Sequence, residues 1–288
     1  KGEVWESDNH GYVTDSAMLM EWSDSTMYSY IHADTLFTDQ IPYQRRDLIE
    51  KDSVLVDSVW QYPAPDTIWT DTTYIQIRAY DNVRIYREDM QCVCDSAHYN
   101  GRDSIATLCG DPVCWNESNQ VSSDTIRVYI KNGEVDYLHG IGNAIAIKQE
   151  GSLEFDQLAG KEMYAYVRDG DVYLVDVQGN AETVFYPREE DGSYVGVNRT
   201  QSSFVKLYLE NRQIHHILFT TSTAGVMIPM DQATDEDKYL ATFFWADQER
   251  PRKPGDIFLT PTRTPRPDAA TVSASTDDEE EDEEEYDE

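Results

Sequence analysis

The stretch Ile126-Arg127-Val128-Tyr129-Ile130-Lys131-Asn132-Gly133-Glu134-Val135 decides the fold, because the chain repeats its pattern twice more. The stretches Met163 to Val172 (MYAYVRDGDV) and Val205 to Ile214 (VKLYLENRQI) align with it without a gap. A second matching point follows each of the three units and consists of Gly142-Asn143-Ala144, Gly179-Asn180-Ala181 and Thr221-Ser222-Thr223. Repetition of this kind predicts a stacked architecture in which each unit buries its apolar face only against its neighbours.

Each unit is predicted to be a strand, a tight turn and a return strand. Apolar and polar residues alternate with the period of two that is typical of a strand with one buried face. The residues predicted to face inward are Ile126, Val128, Ile130, Met163, Ala165, Val167, Val205, Leu207 and Leu209. The turn residues Asn132-Gly133, Asp169-Gly170 and Asn211-Arg212 suit positive φ angles. Tyr129, Tyr166 and Tyr208 are expected on the outer face, where they either form a column or simply serve as good strand residues.

Composition excludes several classes of function. The chain has 288 residues and a formal net charge of −32. Removal of the eleven acidic residues between Asp277 and Glu288 still leaves −21, so a nucleic-acid partner is excluded by the lack of basic clusters. No apolar run approaches the roughly 18 residues that a transmembrane helix needs. The start of the chain at Lys1, apparently within a repeat, predicts that earlier sequence is missing.

Four regions are predicted along the chain. Residues 1–86 are expected to hold N-terminal β repeats, interrupted over about 38–65 by an insertion loop that contains prolines. Residues 87–230 form the regular stack. Residues 231–259 are expected to cap it with a short helix after the capping box at Thr234 to Asp237, followed by Leu240, Phe243 and Phe244 at helical spacing. The alternative is one more strand at 242–246. Residues 260–288 are predicted to be a disordered Pro-rich linker and acidic tail.

Four cysteines lie close together in the sequence: Cys92, Cys94, Cys109 and Cys114. Their spacing does not match the paired CxxC of structural zinc sites. Two interpretations stay open, namely small buried apolar residues and one disulfide between the Cys92/Cys94 strand and the Cys109/Cys114 segment.

No catalytic pattern emerges from the sequence. The six histidines show no metal-binding spacing, and neither a nucleophile motif nor a phosphate-cradling glycine loop is present. Acidic residues are so abundant that a pair of carboxylates carries no specificity for glycoside hydrolysis. The sequence therefore predicts a protein that is not an enzyme and uses no cofactor or metal.

The order of several short motifs resembles the OstA-like (organic solvent tolerance) family of Gram-negative bacteria. These motifs are His32 to Leu36, Arg78 to Arg84, Asp89 to Ser96, Gly110 to Trp115, Gly179 to Thr183, and Arg250-Pro251 with Asp256-Ile257-Phe258. The resemblance runs from about Gly11 to Leu259. It implies an all-β fold, an antiparallel β-solenoid of the β-taco or β-jellyroll kind, in which two sheets face each other across an apolar interior.

The resemblance also implies a function. Its members belong to the periplasmic lipopolysaccharide-transport machinery, so this chain is expected in the periplasm, in association with the outer membrane. Expected partners are lipopolysaccharide, through its lipid A acyl chains, and other β-jellyroll proteins of the transport bridge. The residues expected to line the lipid groove are the nine inward residues above together with Val135, Val172 and Ile214. The alternative is a structural adaptor that docks another envelope protein through its sheet edges or its tail.

Overall fold

A computed structural model describes residues 2–5, 10–23, 27–56, 59–189, 191–260 and 262–266. Antiparallel strands dominate this part of the chain. The strands are β1 Gly2–Trp5, β2 His10–Ser23, β3 Met27–Ile49, β4 Val54–Val56, β5 Val59–Gln61, β6 Asp66–Tyr86, β7 Gln91–Asn100, β8 Ile105–Cys109, β9 Val113–Asn116, β10 Asn119–Ser122, β11 Thr125–Lys131, β12 Glu134–Gln149, β13 Phe155–Arg168, β14 Asp171–Phe185, β15 Gly196–Glu210, β16 Gln213–Thr220 and β17 Ala224–Pro229. One helix, α1 Asp235–Lys238, and two short 3-10 helices, Asp247–Glu249 and Pro254–Phe258, follow.

Three of the long strands, β6, β12 and β14, are bent in the middle by a pair of residues with positive φ angles. Gly142 and Asn143 have φ angles of 74° and 45°, and Gly179 and Asn180 have 80° and 49°. The ladder register shifts at the same places, between Ile141 and Ala144 and between Gln178 and Ala181. Since glycine and asparagine tolerate this conformation best, the second matching point of each repeat is a bend.

The bends fold one continuous 15-stranded sheet into two facing halves. We call the half that contains the tight turns of the repeat the hairpin sheet; its regular part comprises residues 125–131, 134–141, 162–168, 171–178, 203–210 and 213–220. The other half, the strap sheet, comprises residues 83–86, 91–94, 113–116, 119–122, 144–149, 155–160, 181–185, 196–201 and 224–229. Side chains from both halves share the same apolar clusters, so the predicted all-β taco-like fold is confirmed.

The three tight turns share one geometry. Asn132 and Gly133 both have positive φ, as do Asn211 and Arg212, which is the requirement of a type I′ hairpin turn. Each hairpin then contains one bulge, which follows Tyr129, Tyr166 or Tyr208. A bulge adds one residue to the return strand, so Val135 and Leu138 face the same way although they are three residues apart.

The region predicted as an insertion loop has regular structure instead. β3 continues to Ile49 and pairs with β6 as far as Asp66, which makes a two-stranded extension beyond the neighbouring strand. Pro42 has no backbone N–H to donate to the ladder. The β3–β6 ladder tolerates it, because proline is accepted in strands at the edge of a sheet or in a two-stranded ribbon. Leu48 and Trp69, close to its tip, are exposed. The expectation of a loop over 38–65 is therefore wrong for residues 38–49.

The C-terminal region differs from the expected cap. Thr234 and Asp237 form the predicted capping box, but the helix has a single turn and buries no residue. Leu240, Phe243 and Phe244 follow the helix rather than lie on it, and 242–246 is not a strand. Residues 231–260 and 262–266, which we call the strap, run along the outer face of the strap sheet and not across the end of the stack. The linker predicted to be disordered is thus packed at 262–266, and residues 267–288 lie outside the described part.

Candidate functional site: an apolar groove and the strap behind it

The interior between the two sheets is an apolar groove that opens away from the bends. Along the first repeat, Ile126 is 0% exposed, Val128 is 5% exposed and Ile130 is only half-buried. Along the last repeat, Val205 is 0% exposed and Leu207 is 8% exposed, whereas Leu209 is half-buried. Exposure therefore rises with distance from the bend, as expected for a V-shaped interior whose mouth lies beside the tight turns.

Three cross-strand pairs of apolar side chains line this mouth. Ile130 is the ladder partner of Val135, Val167 of Val172, and Leu209 of Ile214. Five of these residues are half-buried, and Ile214, next to the last hairpin turn, is 38% exposed. The structure thus brings together the sequence-predicted groove residues, with Met163 and Val205 deepest and the three pairs outermost.

The cysteines lie inside the first part of the groove. Cys92, Cys94 and Cys114 are buried in one cluster with Ile126 and Val128. Cys92 and Cys114 are ladder partners joined by a disulfide, with their Cα atoms 4.2 Å apart. Cys94 and Cys109 are free, and burial raises the pKa of the Cys94 thiol to about 12. We propose that the Cys92–Cys114 bond forms in the folded protein, and that Cys94 serves as a small apolar side chain.

The outer face of the hairpin sheet carries aromatic rings. Tyr129 stacks on Tyr137 with ring centroids 4.1 Å apart, and Tyr137 lies 5.6 Å from Tyr166. Tyr208 continues the row on the far side of Leu174, which is the ladder partner of both Tyr166 and Tyr208. The three repeat tyrosines therefore face away from the groove, as predicted, in a row that an intervening leucine interrupts.

A hydrogen-bonded group lies beside this row. The carboxylate of Glu162 accepts hydrogen bonds from Tyr164 and from the ring of His139, each at 2.9 Å. These bonds hold the pKa of Glu162 below its usual value. Desolvation and the neighbouring carboxylate raise the pKa of Tyr164 to about 12. The group is a hydrogen-bonded network on the sheet surface, and it does not face the groove.

The strap is held by a row of side chains on the outer face of the strap sheet. The amide of Gln157 donates to the carbonyl of Lys238 at 2.7 Å and accepts from the backbone N–H of Leu240 at 2.8 Å. Gln120 repeats this arrangement with the carbonyl of Phe244 and the N–H of Ala246, both at 2.8 Å. Each amide imitates the paired bonds of a β-ladder and satisfies backbone groups that burial would otherwise leave unpaired.

Further anchors extend the row along the stack. Arg199 donates to carbonyls of Glu236 and Tyr239 near the start of the strap. Arg84 donates to the carbonyl of Glu249, and Arg250 of the strap donates to Gln91. At the far end, the ring of Phe258 meets that of His32 at 5.1 Å. The strap therefore crosses the strands from β15 to β3.

The strap covers a second apolar surface, which the sequence interpretation missed. Leu240, Phe244 and Ala246 pack against outward-facing residues of the strap sheet. These residues are Val93, Val113, Trp115, Ile145, Ile147, Phe155, Ala159, Val184, Tyr186 and Val197. The sequence does contain a sign of this surface, because Ala144-Ile145-Ala146-Ile147 is apolar at every position. A strand that is buried on both faces has this pattern.

A half-buried carboxyl group, that of Asp156, lies close to the rim of the groove. Asp156 accepts a hydrogen bond from the backbone N–H of Tyr186 at 3.0 Å. Burial raises the pKa of Asp156 to about 6, and the nearby Glu150 adds to the shift, while Lys148 and Arg188 oppose it. Asp156 is the ladder partner of Lys148 at the open end of the strap sheet. The rim of the groove is thus polar on this side and apolar at the hairpin turns.

Among the residues that the structure describes, no group of three or more His, Cys, Asp or Glu side chains is arranged to hold a metal ion. Within the same residues, no helix has the length and apolar character required to cross a membrane.

Comparison with known proteins yields a likeness among solved structures. No match is found among models of protein families or among curated proteins. Among solved structures, the chain is similar to the crystal structure of LptH from Pseudomonas aeruginosa, described as the LptA homologous periplasmic component of the conserved lipopolysaccharide transport device. The sequences are 15% identical, the match covers 49% of this chain and 99% of LptH, and the TM-score is 0.38. The fold assignment therefore rests on the strands, registers and clusters of this chain.

Proposed function

We propose that the protein is a non-enzymatic periplasmic carrier in lipopolysaccharide transport to the outer membrane, and that its groove shields acyl chains from water. The observation that carries the proposal is the apolar mouth formed by Ile130–Val135, Val167–Val172 and Leu209–Ile214. The same feature recurs in three successive repeats, so it forms a line along the stack. The motif order that resembles the OstA-like family supports the proposed compartment and class of lipid.

The energetic requirement of such a carrier is simple. An acyl chain with about a dozen methylene groups costs on the order of 10 kcal/mol to expose to water, at about 0.8 kcal/mol per methylene. Half-buried apolar side chains beside a mouth offer a chain a surface of matching chemistry without unpaired polar groups. The deeper residues, such as Ile126 and Val205, are already packed, so the acyl chains are expected at the mouth rather than at the bends.

Site-specific photo-crosslinking tests the proposal. A photoreactive residue at Ile130, inside the mouth, should capture lipopolysaccharide in living cells. The matched control is the next residue, Lys131, which is exposed beside the turn and should capture none. Val167→Asp should abolish capture at Ile130, because it places an unpaired carboxylate against hydrocarbon. Arg168→Asp, at an exposed position beside it, should leave capture unchanged. Equal labelling at Ile130 and Lys131 would contradict the proposal.

A second candidate function is an adaptor that docks another envelope protein through its last strands. β16 and β17 pair only with β15 among the described residues, and Leu218, Val226 and Met227 are exposed there. Capture of a protein by a photoreactive residue at Leu218, together with no lipid at Ile130, would favour the adaptor.

A further inference from the structure

A pocket of about 300 Å³ lies between the strap and the strap sheet, on the face opposite to the groove. Its lining combines three arginines with two carboxylates. The lining residues are Arg84, Asp247, Gln248, Arg250, Arg252, Asp256 and Leu259. Arg84 belongs to β6, whereas all the other lining residues belong to the strap, so the pocket exists only when the strap is seated.

Arg84 is the unusual member of this lining. Arg84 is only 7% exposed, and one terminal nitrogen of its guanidinium donates a hydrogen bond to the backbone carbonyl of Glu249. Its Nε has no hydrogen-bond partner within the part of the chain that the structure describes. A buried N–H without an acceptor is costly, and few such groups occur in native proteins. Desolvation lowers the pKa of Arg84, against the opposing attraction of Glu249 and Asp256. Arg84 thus contributes an incompletely neutralised guanidinium to the lining of the pocket.

The other two arginines already have hydrogen-bond partners, but these do not use all of their N–H donors. Arg250 donates to the side chain of Gln91 at 2.7 Å and also to the carbonyl of Glu117. Arg252 forms an ion pair with Asp247 at 2.5 Å, and its side chain is 60% exposed. Because a guanidinium has five N–H donors in a planar fork, each arginine keeps donors for a further ligand.

The charge of this segment is opposite to that of the whole chain. Residues 250–266 contain five of the 23 basic side chains and one acidic side chain, although the chain has a formal net charge of −32. An anion that approaches the protein is repelled by most of its surface and attracted here. The pocket is therefore a localised basic site in an acidic protein.

We propose that this pocket binds a phosphate group, with the guanidinium groups of Arg84, Arg250 and Arg252 as its donors. A phosphate offers more acceptor oxygens and more charge than a carboxylate, and Asp247 and Asp256 already supply carboxylates to the lining. The inference stands on the geometry of the strap and does not depend on the groove. Its failure would leave the crosslinking result at Ile130 unaffected.

Titration of the intact protein with inorganic phosphate tests the inference, at constant ionic strength and with the arginine Nε–H resonances followed by ¹H–¹⁵N NMR. The Arg84 resonance should shift in a saturable manner. Arg84→Met, which keeps an apolar stem, and Arg252→Gln should each weaken binding by about tenfold or more. Arg45→Gln is the matched control, because Arg45 is also an exposed arginine, 58% exposed, paired with an aspartate, Asp47.

Two soluble sugars separate the sources of the phosphate. If glucosamine 1-phosphate binds more tightly than inorganic phosphate, the ligand is a lipid headgroup. If the two bind with equal affinity, the ligand is free phosphate. Glucosamine without phosphate should not bind in either case. The absence of a saturable shift at tens of millimolar phosphate would overturn the inference. Affinity that is unchanged in Arg252→Gln would also overturn it, and this variant keeps the test valid if Arg84→Met fails to fold.

Discussion

The two facing sheets differ in what covers their outer surfaces. The hairpin sheet has the groove on one side and, on the other, an aromatic row with the hydrogen-bonded network around Glu162. The strap sheet has the groove on one side and the strap on the other, with Trp115 and Ile147 almost completely buried. Strands with the same repeat pattern therefore form one half-solvated sheet and one that is buried on both faces. The strap therefore adds a second packed layer behind one wall of the groove and leaves the other wall in contact with solvent.

Removal of the strap should have the largest effect on this difference. A chain truncated after residue 230 would expose the apolar surface around Trp115, Ile147 and Phe155 to water. We expect loss of cooperative thermal unfolding together with aggregation, measured by circular dichroism and light scattering. Deletion of residues 271–288 is the control and should change the melting temperature by no more than a few degrees, because a run of like charges buries no apolar surface. A truncated chain that melts like the full chain would show that the strap is dispensable.

Single anchors of the strap should have the next largest effect. Gln157→Leu removes the two hydrogen bonds to the strap and leaves a buried N–H and a buried carbonyl there unpaired, at about 1–3 kcal/mol each. We expect the free energy of unfolding, measured in urea, to fall by about 2–5 kcal/mol. Gln120→Leu should behave in the same way, whereas Gln201→Leu, at an exposed position of β15, should change stability little. Equal effects of all three variants would contradict the role of the amides.

The disulfide inside the groove should have a smaller effect. Its cysteines are separated by 22 residues, and a crosslink that closes a loop of this size stabilises by about 3 kcal/mol. Without reductant, alkylation of the unfolded protein should therefore add two adducts, on Cys94 and Cys109, and reduction should lower the free energy of unfolding by about that amount. Cys109→Ala should leave the effect of reduction intact. Four adducts without reductant would disprove the bond.

Asp156 should add a modest pH dependence to the strap sheet. Its folded-state pKa of about 6 exceeds the value of about 3.9 for an unfolded aspartate, so the folded chain binds this proton more tightly. Its contribution to stability is full below about pH 4 and is lost as the pH rises through 6. Asp156→Asn should remove about 2 kcal/mol of this loss between pH 4 and pH 7, measured by urea unfolding at each pH. Asp169→Asn, in an exposed turn, is the control, and an unchanged profile in Asp156→Asn would contradict the assignment.

The sequence predicted the hairpin sheet better than the strap sheet. The alternation in Ile126, Val128 and Ile130 correctly predicted which side chains face inward. One side of this sheet meets solvent, so an apolar–polar pattern of period two assigns each residue to one face only. The bends were visible as Gly-Asn pairs, but their role was not. A repeated dipeptide marks a positive φ without showing that the whole strand folds over at that point.

The strap sheet and its anchors were harder to predict for a physical reason. Gln120 and Gln157 are polar residues in apolar strands, which usually indicates exposure, yet both are 0% exposed because strap residues more than 80 positions away satisfy their amides. The extended ribbon of β3 and β6 was missed for a similar reason, since Pro42 argued against a strand but sits in a ladder that tolerates it. Pairing with distant segments leaves little trace in a local pattern.

The position of the strap also has a consequence for biogenesis. A ribosome delivers this chain from the N-terminus, so the strands around Trp115 and Ile147 emerge about a hundred residues before Leu240 and Phe244, which cover them. During that interval an apolar surface has no cover, and association with other nascent chains competes with folding. We expect a chaperone that binds apolar strands to limit this association until the segment with Phe244 and Ile257 arrives and covers the surface.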